Sequence, residues 1–277
     1  MHTTSKTLYI TDLDGTLLHH NEKISKESCE ILNGLIKNSL NFSYATARSI
    51  VTSSKVSEGL EVELPVIVNN GTFITDFHTR ERIISNKFTE NEAADIYSSL
   101  INFEISPLIY SYINDNEKFS YEKSSINPAL ADFIESRKND GRDNPLENTS
   151  HILDGDVFYF ACIGEDEKLI AAYNALKEKY NCIYQKDIYS NEPWLEIMPH
   201  SATKALAILQ LKELYGFDRV VVFGDGVNDI PMFEIADECY AVANATEKLK
   251  AIATDIIDSN ENDGVAKWLT KNFKPSF

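Results

Sequence analysis

Tyr9-Ile-Thr-Asp12-Leu-Asp14-Gly15-Thr16-Leu17-Leu18 decides how this chain is read, because an apolar, β-prone run stops there on two carboxylates one residue apart. Side chains along a strand alternate faces, so Asp12 and Asp14 project to the same side, and Gly15 lets the chain turn sharply. Asp, Gly and Thr also make ordinary turns and helix entries after strands, so these ten residues alone leave a turn and a site both open. The remainder of the chain has to decide between them.

Downstream, residues 25–37 place Ile31, Leu32, Leu35 and Ile36 near one helical face, with Ser25 as N-cap. Short strands over 40–45 and 66–68 end on Thr46-Ala47-Arg48 and on Asn69-Asn70-Gly71. From about residue 82 the texture changes. A helix is predicted over 89–100, then a hairpin of 105–113 and 118–121 around Asn114-Asp-Asn-Glu117. A helix over 128–136 and a polar loop over 138–150 follow, then strands at 157–163 and 182–185 around a helix over 166–179. Alternation of strand and helix resumes with a strand at 194–197, a helix over 203–215 and a strand over 219–223. Gly224-Asp225-Gly226-Val227-Asn228-Asp229 comes next, then a short helix near Pro231, a strand at 240–242, a helix over 247–253 and an edge segment at 256–257. The predicted fold class is α/β, a doubly wound and mainly parallel sheet formed by 1–81 and 191–277, with an α+β domain over 82–190 inserted between its halves.

Composition narrows the function classes. A formal net charge of -17 repels polyanions, and without a Lys/Arg-dense segment neither nucleic acid nor an anionic membrane is an expected partner. The first residues, Met-His-Thr-Thr-Ser-Lys-Thr, lack the pattern of a signal peptide, and no stretch has the apolar length of a membrane span, so a cytoplasmic protein is expected. Cys29, Cys162, Cys182 and Cys239 lie far apart without a Cys-x-x-Cys, against both a zinc site and a redox pair. His19, His20, His78, His151 and His200 follow no ligand spacing and read as surface or packing residues.

Four predicted strands thus end on polar clusters, Asp12/Asp14, Thr46/Arg48, Asn69/Asn70 and Asp225/Asn228/Asp229. Ligands of open parallel sheets bind beyond the carboxyl ends of the strands, where the connection order reverses. Asp12, Asp14 and Asp225 would supply hard oxygen donors of the kind magnesium takes alongside water and phosphate. Calcium in an EF-hand loop is the rival. A loop starting at Asp12 would need Gly and Glu where Leu17 and Lys23 stand, and one starting at Asp225 meets Ile230 and Ala236, so both fail.

At this point the chain resembles the haloacid dehalogenase (HAD) superfamily phosphatases, and within them the Cof-type branch. The matching pieces are Asp12-Leu-Asp-Gly-Thr16, Ala45-Thr-Ala-Arg48, Lys204 opening a helix after Pro199-His-Ser-Ala-Thr, and Gly224-Asp-Gly-Val-Asn-Asp229. The tail from Ala241-Val-Ala-Asn-Ala245 through Asn262-Asp-Gly-Val265 also resembles that branch, while the inserted segment matches by position and size more than by motif. The resemblance implies a Rossmann-like HAD core with a cap domain, and Asp12 as a nucleophile that becomes an aspartyl phosphate. Asp14 would protonate the departing alcohol and later take a proton from the attacking water, which requires the site to raise its pKa above the ordinary carboxylate range. Magnesium would sit between the Asp12 carboxylate, the Asp14 backbone carbonyl and the Asp225 carboxylate. Thr46, with the backbone near Ala47, and Asn228 would contact the phosphate; Lys204 would supply charge to phosphate and nucleophile, and Asp229 would orient Lys204 or a metal-bound water. Arg48 would join the substrate contacts. Where the family usually has Gly, this chain has Ala47, which bears on how closely substrate approaches that backbone.

Each residue also has an ordinary structural reading: Thr46 as a helix cap, Lys204 as a solvated lysine, Asp225 and Asp229 as turn and cap residues, Asn69 and Asn70 as turn formers. Four clusters in this order are hard to assign to turns alone. The expected function is a magnesium-dependent phosphatase of small phosphorylated metabolites, sugar phosphates foremost, with the inserted domain as a cap that closes over the site and chooses the substrate. A sugar-phosphate phosphomutase, which shares the aspartyl phosphate, and a non-catalytic protein that senses a phosphorylated ligand are the alternatives; intact Asp14 and Lys204 speak against the second. An ion-pumping ATPase is set aside for want of membrane segments. Tyr110, Tyr112, Phe158 and Tyr159 are aromatic candidates for substrate selection, although aromatics in strands more often belong to the core. The expected state is a monomer or weak homo-oligomer.

Overall fold

The computed structural model describes residues 6–186 and 192–275. Internal contacts divide the chain into a first unit of residues 1–85 and 203–277 and a second of 86–202.

The first unit begins with β1 (Thr7–Thr11), whose Leu8 and Ile10 are fully buried. α1 (Lys26–Lys37) starts where the Ser25 hydroxyl accepts the Ser28 N–H at 2.9 Å, and its Leu32 and Ile36 face the core. β2 (Phe42–Tyr44) pairs parallel with β1. α2 (Ile50–Val56), capped by Ser49, leads to β3 (Val66–Val68), β4 (Phe73–Thr75) and β5 (Arg82–Ser85), a small antiparallel sheet. A parallel bridge from Ala45 to Ile67 ties that sheet to the end of β2.

In the second unit α3 (Glu90–Asn102) opens with a capping box in which Thr89 and Glu92 satisfy each other's amides. β6 (Leu108–Ile113) and β7 (Asn116–Glu122) form a hairpin through Asn114 and Asp115, whose φ values of 47° and 61° are the left-handed pair a tight two-residue turn demands. α4 (Pro128–Ser136) carries Pro128 in its first turn after the Asn127 cap. β8 (Asp143–Leu146), β9 (Asp156–Ile163), α5 (Asp166–Leu176), β10 (Asn181–Lys186) and β11 (Pro193–Met198) complete it, in a six-stranded sheet ordered β10-β11-β9-β6-β7-β8. Alternate residues of β9 feed two apolar clusters, one with Phe160 and Cys162 among α3 and α5 residues, the other with Ala161 and Ile163 beside Leu130 and Phe133 of α4.

Two expectations fail in this unit. The segment 138–150, read as a polar loop, contains β8, an edge strand parallel to β7. With Pro145 in it and alternate residues exposed, it carries too little apolar pattern to announce itself. The strand at 194–197, expected to resume the first domain, instead lies between β10 and β9 and pairs antiparallel with both. A short apolar run reads the same in either kind of sheet, and only its partners decide. The contact boundary therefore falls at 202–203, and the expected boundary at 190–191 lies outside the described residues.

The first unit resumes with α6 (Lys204–Tyr215), capped by Thr203 and closed by Gly216 at a left-handed φ of 64°. β12 (Arg219–Gly224), α7 (Ile230–Ile235), β13 (Glu238–Val242), α8 (Glu247–Lys250) and β14 (Asp255–Ile257) follow, and α9 (Gly264–Asn272), which was not foreseen, packs against α1. The principal sheet runs β14-β13-β12-β1-β2 and is parallel throughout. From β1 the chain moves outward to β2, and from β12 it moves the other way to β13 and β14. Right-handed crossovers then put the connecting helices of the two halves on opposite faces, leaving the switch point between β1 and β12.

Candidate active site

The switch point is where the acids emerge. Thr11 stands opposite Phe223 in the β1–β12 register, and the Asp12 N–H donates to the Phe223 carbonyl at 2.9 Å, so Asp12 leaves the sheet beside the end of β12 that delivers Asp225. Gly15 makes this approach possible. Its φ of +75° suits glycine, and a Cβ there would lie 2.3 Å from Asp225 Oδ2. The Thr16 hydroxyl donates to Asp225 Oδ1 at 3.1 Å, a contact the motif contains but that was not assigned from sequence.

Lys204 opens α6 and points into this cluster. Its Nζ donates to Asp12 Oδ1 at 2.6 Å and to Asp229 Oδ1 at 2.7 Å, and all three residues are buried. Asp229 Oδ2 accepts the backbone N–H groups of Asp225 and Gly226, each at 3.0 Å, so both of its oxygens are committed. Burial works against the Lys204 ammonium, yet Asp12 and Asp229 outweigh it and hold the amine charged. Burial also pushes the Asp12 carboxyl above the ordinary carboxylate range, with Lys204 opposing. Asp225 is pushed up to about 6, by burial first and then by the charge of Asp229.

Carboxylate oxygens of Asp12, Asp225 and Asp229 lie within 4.8 Å of one another. With Asp229 occupied by Lys204 and two amides, the oxygens without a described hydrogen-bond partner are Oδ2 of Asp12 and Oδ2 of Asp225. Hard, anionic and raised in basicity by burial, this pair has the chemistry a small divalent cation takes. The Asp14 carboxylate stands apart from the trio.

Asp14 is engaged elsewhere. Arg48 grips it with both edges of its fork, Nε to Oδ2 at 2.8 Å and Nη2 to Oδ1 at 2.6 Å, and Nη2 reaches Glu22 Oε2 at 3.2 Å. These contacts, led by the hydrogen bond to Asp14, raise Arg48 above its ordinary value. Thr46 lies fully buried after β2, its N–H bonded to the Ile67 carbonyl at 2.9 Å, and its Oγ1 accepts the Arg48 N–H at 3.1 Å. Ala47 is exposed, and its φ is not positive, so its methyl group imposes no backbone strain where the family usually has Gly. Asn228 is exposed beside Gly226.

Asn69 and Asn70 act through their backbones. Both are left-handed, at φ 50° and 54°, and their N–H groups donate to the carbonyls of Arg48 and Thr46, each at 2.9 Å. Gly71, at φ +96°, comes so close to α6 that a Cβ would lie 2.2 Å from the Thr203 carbonyl oxygen. The Asn-Asn-Gly triplet thus joins the Thr46 loop to the helix that carries Lys204. Three further residues brace the Asp12 turn from the C-terminal segment. Asn244 Nδ2 donates to the Gly15 carbonyl at 2.7 Å, Asn260 Nδ2 to the Leu18 carbonyl at 2.8 Å, and Asp263 Oδ1 accepts from Ser25 Oγ at 2.5 Å and Ser28 Oγ at 2.7 Å and pairs with His19 Nε2 at 3.1 Å. Only the match of the tail to the branch pointed toward them, and no spacing predicts which carbonyls they reach.

Comparison with known proteins points to one family. The family model of haloacid dehalogenase-like hydrolases matches residues 9–269. Among similar proteins, the 5-amino-6-(5-phospho-D-ribitylamino)uracil phosphatase YwtE of Bacillus subtilis is 27% identical over 93% of this chain and 95% of its own. The phosphatase YitU of the same organism and name is 25% identical over 96% and 97%. Among solved structures, a haloacid dehalogenase-like hydrolase of Bacteroides thetaiotaomicron has a TM-score of 0.74 at 25% identity, over 98% of this chain and all of that one, 100%. A Thermotoga maritima protein reaches a TM-score of 0.77 at 25% identity, over 98% of each chain. Among the described residues, no helix is long and apolar enough to cross a membrane. The chain belongs to the haloacid dehalogenase-like hydrolases, as a Cof-type phosphatase.

Proposed function

We propose that this phosphatase hydrolyses phosphoric monoesters of small metabolites, sugar and polyol phosphates foremost, through an aspartyl phosphate on Asp12. The observation that carries the reading is the buried Asp12–Lys204–Asp229 network at the switch point, with bonds of 2.6 and 2.7 Å. A buried charge network that served cohesion alone could be replaced as a whole by apolar packing at little cost. Here it also holds a carboxylate at the strand end where substrates of such sheets bind.

In the first step an Asp12 oxygen bonds to phosphorus as the ester P–O bond breaks, and Asp14 gives its proton to the departing oxygen. In the second, water attacks the aspartyl phosphate, Asp14 takes its proton, and Asp12 and inorganic phosphate are released. Lys204 stabilises charge on Asp12 and on the phosphoryl oxygens, with the Thr46 hydroxyl, the amides near Ala47 and Asn228 as further donors. Asp229 keeps Lys204 aimed. Magnesium, held by Asp12 and Asp225 with the Asp14 carbonyl, would draw charge from the phosphoryl group and relieve repulsion between Asp12 and an anionic substrate. Residues 82–190, or 86–202 by the contact boundary, are the part that selects substrate. The two Bacillus subtilis relatives are named for a phosphorylated ribityl compound, which makes phosphorylated polyols a natural first panel.

The test is phosphate release by the purified protein with magnesium from several dozen phosphomonoesters, with analysis of the organic product. Free phosphate with the matching alcohol is expected, and Asp12→Asn should abolish it. No release from any ester, or full activity of Asp12→Asn, would overturn the proposal; an isomerised sugar phosphate would mark a mutase instead.

A further inference from the structure

Arg48 was expected among the substrate contacts, but its side chain is spent on a carboxylate. Of its five N–H donors, those on Nε and Nη2 serve Asp14 and Glu22, and among the described residues Nη1 has no carboxylate partner. Asp14 occupies the Nε–Nη2 side of the guanidinium bidentately, and Glu22 takes Nη2 at the other edge, the one a phosphate would otherwise share with Nη1.

We propose that Arg48 is a positioning residue for Asp14, with Glu22 holding the far side of the same guanidinium. The need for such an arm comes from where Asp14 stands. Its side chain is 49% exposed, on a turn just after the strand end, and an aspartate so placed would otherwise sample several rotamers. Two parallel bonds from a planar fork fix both the position and the plane of the carboxylate. The fork itself is anchored. The Arg48 N–H is held by Thr46 Oγ1 at 3.1 Å, its carbonyl by the Asn69 N–H at 2.9 Å, and Ser49 next to it caps α2.

Glu22 supports the assignment independently. It sits in a turn closed by bonds from the His19 N–H to the Lys23 carbonyl at 3.0 Å and from the Glu22 N–H to the His19 carbonyl at 2.9 Å, with φ of 57°. That conformation costs a residue with a Cβ roughly 1 kcal/mol. At this strained position the chain has a long carboxylate that reaches Arg48 instead of the glycine or asparagine that would relax the turn. Arg48 therefore bridges two segments, the loop after β1 and the loop after β2, and Asp14 lies at their junction. Two engaged oxygens still leave Asp14 lone pairs that can carry and return a proton, since a carboxylate offers about four acceptor sites.

This role rests on the phosphatase reading, and leaving-group chemistry separates the two. Protonation matters greatly when an alkoxide departs and little when an acidic phenol does, and kcat/KM reports the step in which the ester bond breaks. Arg48→Ala and Arg48→Lys should lower kcat/KM for an alkyl phosphate by about 10²-fold or more, the lower end of what a positioned proton donor contributes, and far less for p-nitrophenyl phosphate. Inhibition by inorganic phosphate should hardly change. Glu22→Gln, which leaves the fork intact, should shift the same ratio in the same direction by less, and Asp14→Asn should show the same selectivity, with Arg48→Ala adding little on top of it. Equal losses on both esters together with weakened phosphate inhibition would make Arg48 a phosphate ligand and overturn the proposal. So would an unchanged alkyl-to-aryl ratio in Arg48→Lys. A wild-type protein that turns over neither ester overturns the phosphatase reading first, and this role with it.

Discussion

In the first unit the least exposed charged residues, Asp229 at 0%, Lys204 at 2% and Asp12 at 4%, converge on the switch point of a parallel sheet. In the second unit the deepest positions belong to aromatic and aliphatic side chains, with Phe88 packed edge-on against Phe160 and Tyr180 at centroid distances of 5.6 and 5.8 Å. Among the described residues there, the buried polar ones are neutral, Asn86, Ser111 and Ser120. Burying a charge is costly unless it is paired and hydrogen-bonded, so a unit that buries three has a use for them beyond cohesion. The second unit buries apolar and neutral side chains; the first also buries a paired cluster of charges.

The largest expected break in this contrast is Lys204→Met. Removing the ammonium leaves Asp12 and Asp229 facing each other without a counter-charge, a change that typically costs about 3–5 kcal/mol. Denaturant unfolding should show that loss together with the disappearance of phosphate release. Lys123→Met in the second unit, where Lys123 pairs with Glu147 at the surface, should leave both where they are. A Lys204→Met protein as stable as the wild type would mean that the buried charges are not under strain.

A smaller effect is expected from Gly71→Ala, which removes no charge. The new methyl group would meet the Thr203 backbone at 2.2 Å in a left-handed conformation, and shifting the start of α6 should cost about 1–3 kcal/mol. Because α6 begins with Lys204, phosphate release should fall even where the protein stays folded. Retained activity beside lowered stability would show that the brace serves cohesion only.

The smallest effect should come from a partly buried carboxyl of the second unit. Burial raises the Glu196 carboxyl above its ordinary range, opposed by the hydroxyl of Tyr159. A raised native value means that the folded protein binds the proton more tightly. The contribution is then fully present below the unfolded value, about 4.3, and is lost as pH rises through the folded one. Glu196→Gln keeps an acceptor for Tyr159 without the charge. Its unfolding midpoint, measured from pH 4 upward, should gain on the wild type as pH rises, and parallel curves would sink the argument.

Legibility in the sequence also differed between the units. Asp12, Asp225, Lys204 and Asp229 could be picked out because each stands at the end of a strand or the start of a helix, where the apolar pattern stops and a polar residue needs a reason. The hairpin turn at Asn114-Asp115 and the cap at Ser25 were legible for the same local reason. The strand Pro193–Met198 was assigned to the wrong sheet because its apolar residues carry no mark of their neighbours. β8 was missed because an edge strand exposes half its residues and needs little pattern. Arg48 was placed on the substrate because a cation near a phosphate site suggests that partner, while its distance to Asp14 depends on two loops from different strands.

By itself the sequence determined the alternation of strands and helices, the order of the polar clusters and the chemical types available to them, since periodicity and capping are local properties of the chain. Tertiary structure alone decided which charges are buried together and which oxygens remain free. Lys204 and Asp12 are separated by 192 residues along the chain and by 2.6 Å in space. The β1–β12 register brings Asp12 and Asp225 to one strand end, and Gly15 and Gly71 let backbones approach closely enough to hold them there. That Asp12 pairs with a lysine and Asp14 with an arginine follows from that packing, because burial and partners are properties of the fold and not of the residue.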